Sequence, residues 1–263
     1  MSARPTLILG SVLVVAGLLG GCASDSAVDS SAASETASAS TAESASASST
    51  SAAGSAPAST ASIDLSAHSI TDPTSIWVVV NKHRPMTPLD WAPSDLTTVT
   101  LSGTSAQMRT DAAAALQKLA TASDAATGKT MTIDSGYRSY TTQVSVYNGW
   151  KDQDGQAEAD LLSARAGYSE HQTGLAADID EAQTSCGLNE CFGTTSTGTW
   201  VAANAWQYGF IVRYAQGATA QTGYDYEPWH LRYVGVDLAT YMHQNGITTL
   251  ETVFGLENAT DYE

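Results

Sequence analysis

From Ala23 to Ser62 the chain is almost entirely Ser, Ala and Thr with scattered Asp and Glu, and it contains no aromatic residue. Ordering a backbone costs roughly 1–2 kcal/mol per residue, and side chains this small bury too little apolar surface to offset it. The stretch 23–62 therefore reads as a disordered tether, kept extended by its acidic residues and open to glycosylation on Ser and Thr. Any fold must come from the residues C-terminal to it. No internal repeat is apparent, and residues 63–263 fit one domain with a single core. The formal net charge of −16 excludes an extended basic surface for nucleic acid.

Ahead of the tether, Arg4 precedes an apolar run from Leu7 to Leu19 that is short for a transmembrane helix and ends in Leu19-Gly20-Gly21-Cys22. Small residues leading directly into a cysteine resemble a bacterial lipobox. That resemblance implies a lipoprotein signal peptide over 1–22, cleavage before Cys22, and lipid on its sulfur and new amino terminus. The protein would then sit outside the cell, held to the outer face of the bacterial membrane by lipid alone. The competing reading is an ordinary signal peptide with a chance cysteine. Of the three cysteines, Cys22 is taken by lipid. Cys186 and Cys191 remain, close together in a turn-rich stretch, as a disulfide in an oxidising compartment requires. A loop this short stabilises by roughly 2 kcal/mol in the chain-entropy model. Metal binding by the two thiols is the rival, but no second cysteine pair or histidine lies near them.

In the folded part, the β-branched run Ile76-Trp77-Val78-Val79-Val80 predicts a strand, and Pro85, Pro88 and Pro93 then forbid regular structure. Met108, Ala112, Ala115, Leu116 and Leu119 recur at helical spacing up to a terminator at Gly128. Thr130 to Asp134 reads as a strand, and Ser139 as the cap of a helix carrying Tyr140, Val144 and Tyr147. A third helix is expected over about 157–166. A strand is expected over 176–180, a helix over 199–207, and a strand over 210–214. Residues 215–226 are expected to be a mobile loop, then come a strand over 229–234 and a helix over 236–245. Thr248 and Glu251 have capping-box spacing for a last short helix. Short strands without regular strand–helix alternation argue for α+β with a small antiparallel sheet and flanking helices.

The run from Ser169 to Asp180 packs His171 and the carboxylates Asp178 and Asp180 among small and apolar residues. In Glu227-Pro228-Trp229-His230 a second imidazole follows a carboxylate by three positions. Two imidazoles and one aspartate would leave a tetrahedral zinc ion one open position for water, as hydrolytic sites do. Period two places Asp178 and Asp180 on one strand face, so one can be a ligand and the other its neighbour. Asp180 could orient a ligand or pair with a basic residue. His230 and Arg232 likewise share a face, with Arg232 unassigned, and Trp229 reads as core.

Three motifs together resemble the VanY-type D-alanyl-D-alanine carboxypeptidases of zinc peptidase family M15, with similarity also to the L,D-carboxypeptidases of that group. They are Ser135-Gly136-Tyr137-Arg138-Ser139 with Gln143, Ser169-Glu170-His171 through Gly174 to Asp178, and Glu227 through Gly235. Asn81-Lys82 with Pro93 and Leu96 fits the same group, so the resemblance spans about 76–245. It implies a Hedgehog/DD-peptidase-like zinc peptidase fold, one zinc ion per chain held by His171, Asp178 and His230, and Glu227 as catalytic base. It also implies Arg138 as the clamp for a substrate's terminal carboxylate, with Ser169 and Gln143 helping to bind substrate. A guanidinium suits that task because it grips a carboxylate in bidentate fashion. His68, His83 and His243 match no ligand position. The implied activity is removal of the terminal D-alanine from peptidoglycan stem peptides by a monomer. The alternatives are an endopeptidase or dipeptidase of the same fold, and a non-catalytic zinc module that binds cell wall.

Overall fold

The computed structural model describes residues 62–262. The lipobox, Cys22 and all but the last residue of the tether lie outside the described residues. Trp77–Val80 are buried, yet they form no strand. Their side chains alternate between two clusters, Val78 and Val80 in one, Trp77 and Val79 in the other. The segment pairs its backbone with other groups: Val79 N donates to Ile70 O, and Arg232 Nη2 donates to Val78 O at 2.6 Å. The β-branched run thus threads between two cores rather than joining a sheet.

The first regular structure is a hairpin, β1 (Leu96–Leu101) and β2 (Thr104–Arg109), which the sequence reading did not foresee. Its turn, Ser102-Gly103, has positive φ at both residues, as a two-residue hairpin loop matched to strand twist requires. Met108 lies on β2 rather than in the helix, because its spacing from Ala112 fits either period. Helix α1 (Thr110–Thr127) begins two residues later and ends on left-handed Gly128, as expected.

Strand β3 (Met131–Ser135) leads to α2 (Tyr140–Asp154), whose cap is the Ser139 hydroxyl accepting from Thr142 N. Helix α3 (Gln156–Leu162) stops short of the expected 166. Ser163 is extended, and the Ser163 hydroxyl and Ala164 carbonyl accept from Gln143 Nε2. Next in order are β4 (Ala176–Glu181), α4 (Ser196–Asn204) with a 3-10 turn Ala205–Tyr208, β5 (Phe210–Tyr214), α5 (Thr219–Thr222), β6 (Glu227–Tyr233), α6 (Val236–Gln244) and α7 (Leu250–Val253). The segment 215–226, expected to be mobile, contains α5, buries Thr222 and Tyr224, and is tied by Lys82 Nζ donating to Gly223 O at 2.6 Å. The cap of α7 is Thr249, not Thr248, because Glu251 turns inward to a buried arginine.

Strands β3, β4, β6 and β5 form one antiparallel sheet in that order, with the hairpin as a second, two-stranded sheet. The architecture is α+β with a small antiparallel sheet, as the lack of strand–helix alternation indicated. The larger core joins α1, the hairpin and one sheet face. The smaller joins Trp77 and Val79 to α6 and α7. Among the described residues no helix is long and apolar enough to cross a membrane.

Candidate active site

Sheet register places Asp178 on β4 directly opposite His230 on β6. His171 arrives from a single 3-10 turn, Glu170–Thr173, just before β4. Left-handed Gly174 (φ 69°) makes that approach possible, turning the chain where a Cβ would crowd Arg109, Leu96 and Pro93. His171 Nε2 lies 3.1 Å from Asp178 Oδ2 and His230 Nδ1 lies 3.0 Å from Asp178 Oδ1. The two rings are nearly perpendicular, centroids 4.9 Å apart, and one donor atom from each of the three residues lies within 4.8 Å of the others. All three side chains are buried.

The remaining ring nitrogens are engaged on the far side. His171 Nδ1 sits 2.7 Å from the Gly136 carbonyl, which can only accept, so that nitrogen carries the proton and Nε2 presents its lone pair. Gly136 must be glycine, because a Cβ there would strike the Gln107 carbonyl and Ala106 on β2. His230 Nε2 faces Glu170 Oε2 at 3.4 Å, leaving Nδ1 for the site. Two imidazoles and a carboxylate, each imidazole backed by an acceptor, are a donor set suited to zinc.

Glu227, at the start of β6, approaches His230 Nδ1 to 3.7 Å. Burial pushes its carboxyl up to about 8, even though the His230 charge pulls the other way. A cation held between the three donors would draw it down again. Burial acts to raise the Asp178 pKa, but the neighbouring imidazoles outweigh it and leave the carboxylate well below its usual range. Burial lowers His171. At His230 burial is overcome by the hydrogen bonds to Asp178 and Glu170 and by the charges of Asp178 and Glu227, which push it up to about 10.

Arg138, three residues past β3, reaches to 3.7 Å from Asp178 Oδ2, with Nη1 donating to Gln143 Oε1 and Nη2 to Ser135 Oγ, both at 3.0 Å. Two of its five donors are thereby used, and Arg138 lines a cavity of about 520 Å³ together with Ser169, Glu227 and all three metal-site residues. Gln143 is fully buried, its amide shared between Arg138, the Ser163 hydroxyl and the Ala164 carbonyl, so it meets this cavity only through Arg138. Cys186 and Cys191 are joined as a disulfide, and Leu188, Asn189 and Glu190 in its loop form one wall. Trp229, expected in the core, is partly buried against it and also lines the cavity. Asp180 stands apart, its Oδ1 accepting from Glu181 N and Thr184 Oγ1. His68 and His243 pack on Trp77 and Trp206, away from the site.

The sequence reading missed the support beneath His230. Glu170 Oε1 accepts from Arg213 Nε at 2.9 Å and Arg232 Nη1 at 2.8 Å. Arg213 also binds Glu251 through two bonds, at 3.0 and 2.7 Å, and Asn81 Nδ2 donates to Glu251 Oε1. Glu170, Arg213 and Arg232 have no exposed side-chain surface. The available signal was local: Arg213 is a charge inside the otherwise apolar run Phe210–Tyr214, which only a buried partner permits.

An α+β fold that converges two imidazoles and a carboxylate beside a half-buried glutamate in one cavity defines a metal-hydrolase site. Residues 105–236 match the family model VanY, D-alanyl-D-alanine carboxypeptidase, and the chain belongs to that family. It is 38% identical over 189 residues to the putative carboxypeptidase YodJ of Bacillus subtilis, covering 70% of this chain and 68% of that one. Among solved structures it resembles the LdcB LD-carboxypeptidase, described for its peptidoglycan recognition, at 39% identity and a TM-score of 0.63 over 70% of this chain and 87% of that one. It also resembles the vancomycin-resistance D,D-pentapeptidase VanY of the VanB-type cassette, solved with Zn(II), at 30% identity and a TM-score of 0.54 over 67% and 97%.

Proposed function

We propose that this protein is a zinc-dependent carboxypeptidase that removes the C-terminal D-alanine from peptidoglycan stem peptides. The observation that carries the reading is the shared cavity, in which Arg138 and Glu227 flank the His171–Asp178–His230 cluster. Those three residues would hold the zinc ion, which lowers the pKa of a bound water toward about 7 and polarises the scissile carbonyl. Glu227 accepts the proton of the attacking water and delivers it to the departing amine. It serves better as base than as a fourth ligand, since four protein ligands would close the site. Arg138 binds the free terminal carboxylate with the donors that Gln143 and Ser135 leave available. Ser169, which also lines the cavity, helps to bind the substrate.

The L,D bond of a tetrapeptide is the preferred target within this reading, because the chain is more like the LdcB LD-carboxypeptidase than the D,D-pentapeptidase. Digestion of defined tetrapeptide, pentapeptide and cross-linked stems, read by mass spectrometry, tests both points. Loss of one D-alanine from the tetrapeptide supports them, and cleavage of cross-links or release of dipeptides would replace the exopeptidase with an endopeptidase or dipeptidase. The lipobox at Cys22 supports an enzyme tethered to the outer face of the membrane, where these stems are found. Lipid labelling of the full chain against a Cys22→Ala variant tests the tether.

A further inference from the structure

We infer that Glu170 is a positioning residue for the metal site: it fixes His230 in the tautomer that presents Nδ1 to the metal. The inference rests on the proposed zinc site. His230 can give Nδ1 to a metal only if its proton stays on Nε2, and that proton needs an acceptor. The atom facing Nε2 is Glu170 Oε2, at 3.4 Å, and both side chains are buried, Glu170 with no exposed surface. The other Glu170 oxygen is held by Arg213 Nε and Arg232 Nη1 together, so the carboxylate cannot turn away without stripping two buried guanidiniums of a partner.

Strand geometry explains why Arg232 takes part. It lies two residues beyond His230 on β6, so both side chains leave the same face and meet one carboxylate. The second arginine comes from β5, the neighbour of β6 in the sheet. Behind them, Arg213 is gripped by Glu251 of α7, which Asn81 also contacts. A chain of contacts thus runs from Asn81 through Glu251, Arg213 and Glu170 to a metal ligand. His171 needs no such device, because the backbone carbonyl of Gly136 performs the same task for it.

Glu170→Gln tests the assignment in the full chain. The amide has only one oxygen, and the two guanidiniums claim it, so an NH2 group is turned toward the Nε2–H of His230. Donor then faces donor, and the ring is driven to the tautomer whose proton blocks Nδ1. Zinc affinity, measured by chelator competition, should fall by about 10- to 100-fold, the usual effect of losing such a partner. Asp160→Asn weakens a separate ion pair, with Arg165, that touches neither Glu170 nor the three metal-site residues, and should leave zinc affinity unchanged. Equal losses in the two variants, or no loss in Glu170→Gln, would overturn the assignment.

A second measurement avoids variants and so does not depend on whether Glu170→Gln folds. Nitrogen-15 spectra of the zinc-loaded protein labelled at histidine should show His171 metallated at Nε2 and protonated at Nδ1, and His230 the reverse. A His230 bound through Nε2 ends the proposal while leaving the zinc reading intact. Failure of the unmodified chain to bind zinc at all would remove the functional reading itself.

Discussion

Besides Asp178, two carboxylates flank the His230 ring, and their surroundings push them in opposite directions. Among the described residues Glu227, on the cavity side, has no guanidinium within salt-bridge distance, and burial pushes its carboxyl up to about 8. Glu170, on the sealed side, is more deeply buried, yet Arg213 and Arg232 overcome that burial and hold it below the usual carboxylate range. Burial alone therefore does not decide what an acid does here. What decides it is whether the protein supplies counter-charge, and two acids driven apart in this way can serve separately as a proton carrier and a permanent anion. The same contrast extends outward. The cavity side keeps free donors on Arg138, whereas the charged groups of the sealed side satisfy one another in a network of two carboxylates and two guanidiniums.

The sharpest break of this contrast is removal of Glu227, the proposed proton carrier. Glu227→Ala should retain zinc while hydrolysis falls by about 10²- to 10⁴-fold, the range of general acid–base catalysis. His171→Ala should lose both. Metal analysis beside a turnover assay separates these outcomes, and zinc loss in the first variant would make Glu227 a ligand.

On the sealed side the cost should appear as stability. Glu251→Gln leaves Arg213 short of charge in a dry interior, a change that costs about 3–5 kcal/mol in comparable buried pairs. Burial acts to raise the Glu251 pKa, but the Arg213 charge and the hydrogen bonds from Arg213 and Asn81 reverse it, so the folded pKa lies below the unfolded value of about 4.3. The stabilisation is accordingly present above that unfolded value and lost as pH falls through the folded one. Denaturant melts from pH 6 down to pH 2 should show a steep loss for the unmodified protein and a shallower one for Glu251→Gln. Parallel curves would mean that the network does not tune this acid.

Arg138→Ala should do the reverse, sparing stability and lowering kcat/KM by roughly 10- to 100-fold, from a charge-assisted bond of about 1.5–3 kcal/mol. Amidating the substrate terminus should cost as much. The two changes together should cost little more than either alone, since each removes the same contact. Equal cleavage of amidated and free peptides would eliminate the clamp.

The smallest effect should come from the disulfide. Reducing Cys186–Cys191 should lower stability by roughly 2 kcal/mol and leave zinc bound, because the loop forms a cavity wall and carries none of the three metal-site residues. Thermal melts with and without reductant measure it. A loss of zinc on reduction would show that the wall and the site are one unit.

The residues that the structure brings together at the candidate site were legible from residue type and spacing. His171, Asp178, Glu227 and His230 lie in two short runs, and a motif can be read wherever the backbone between its members is a turn or a strand. Helix α1 was legible beyond its first turn because Gly128 ends it and its apolar period is long. The hairpin β1–β2 was not, since Met108 fits a helical period as well as a strand. Trp77–Val80 has a strand's composition but lies between two cores, with Val78 O bound to an arginine from residue 232. The support of the site was hidden for the same reason. Glu170 meets Arg213 and Arg232 across 43 and 62 positions, and no local pattern records that contact. Local sequence determined which groups could bind a metal and move a proton. Only the tertiary structure decided which acid keeps its charge, because a carboxylate's pKa depends on the guanidiniums that long-range packing brings beside it.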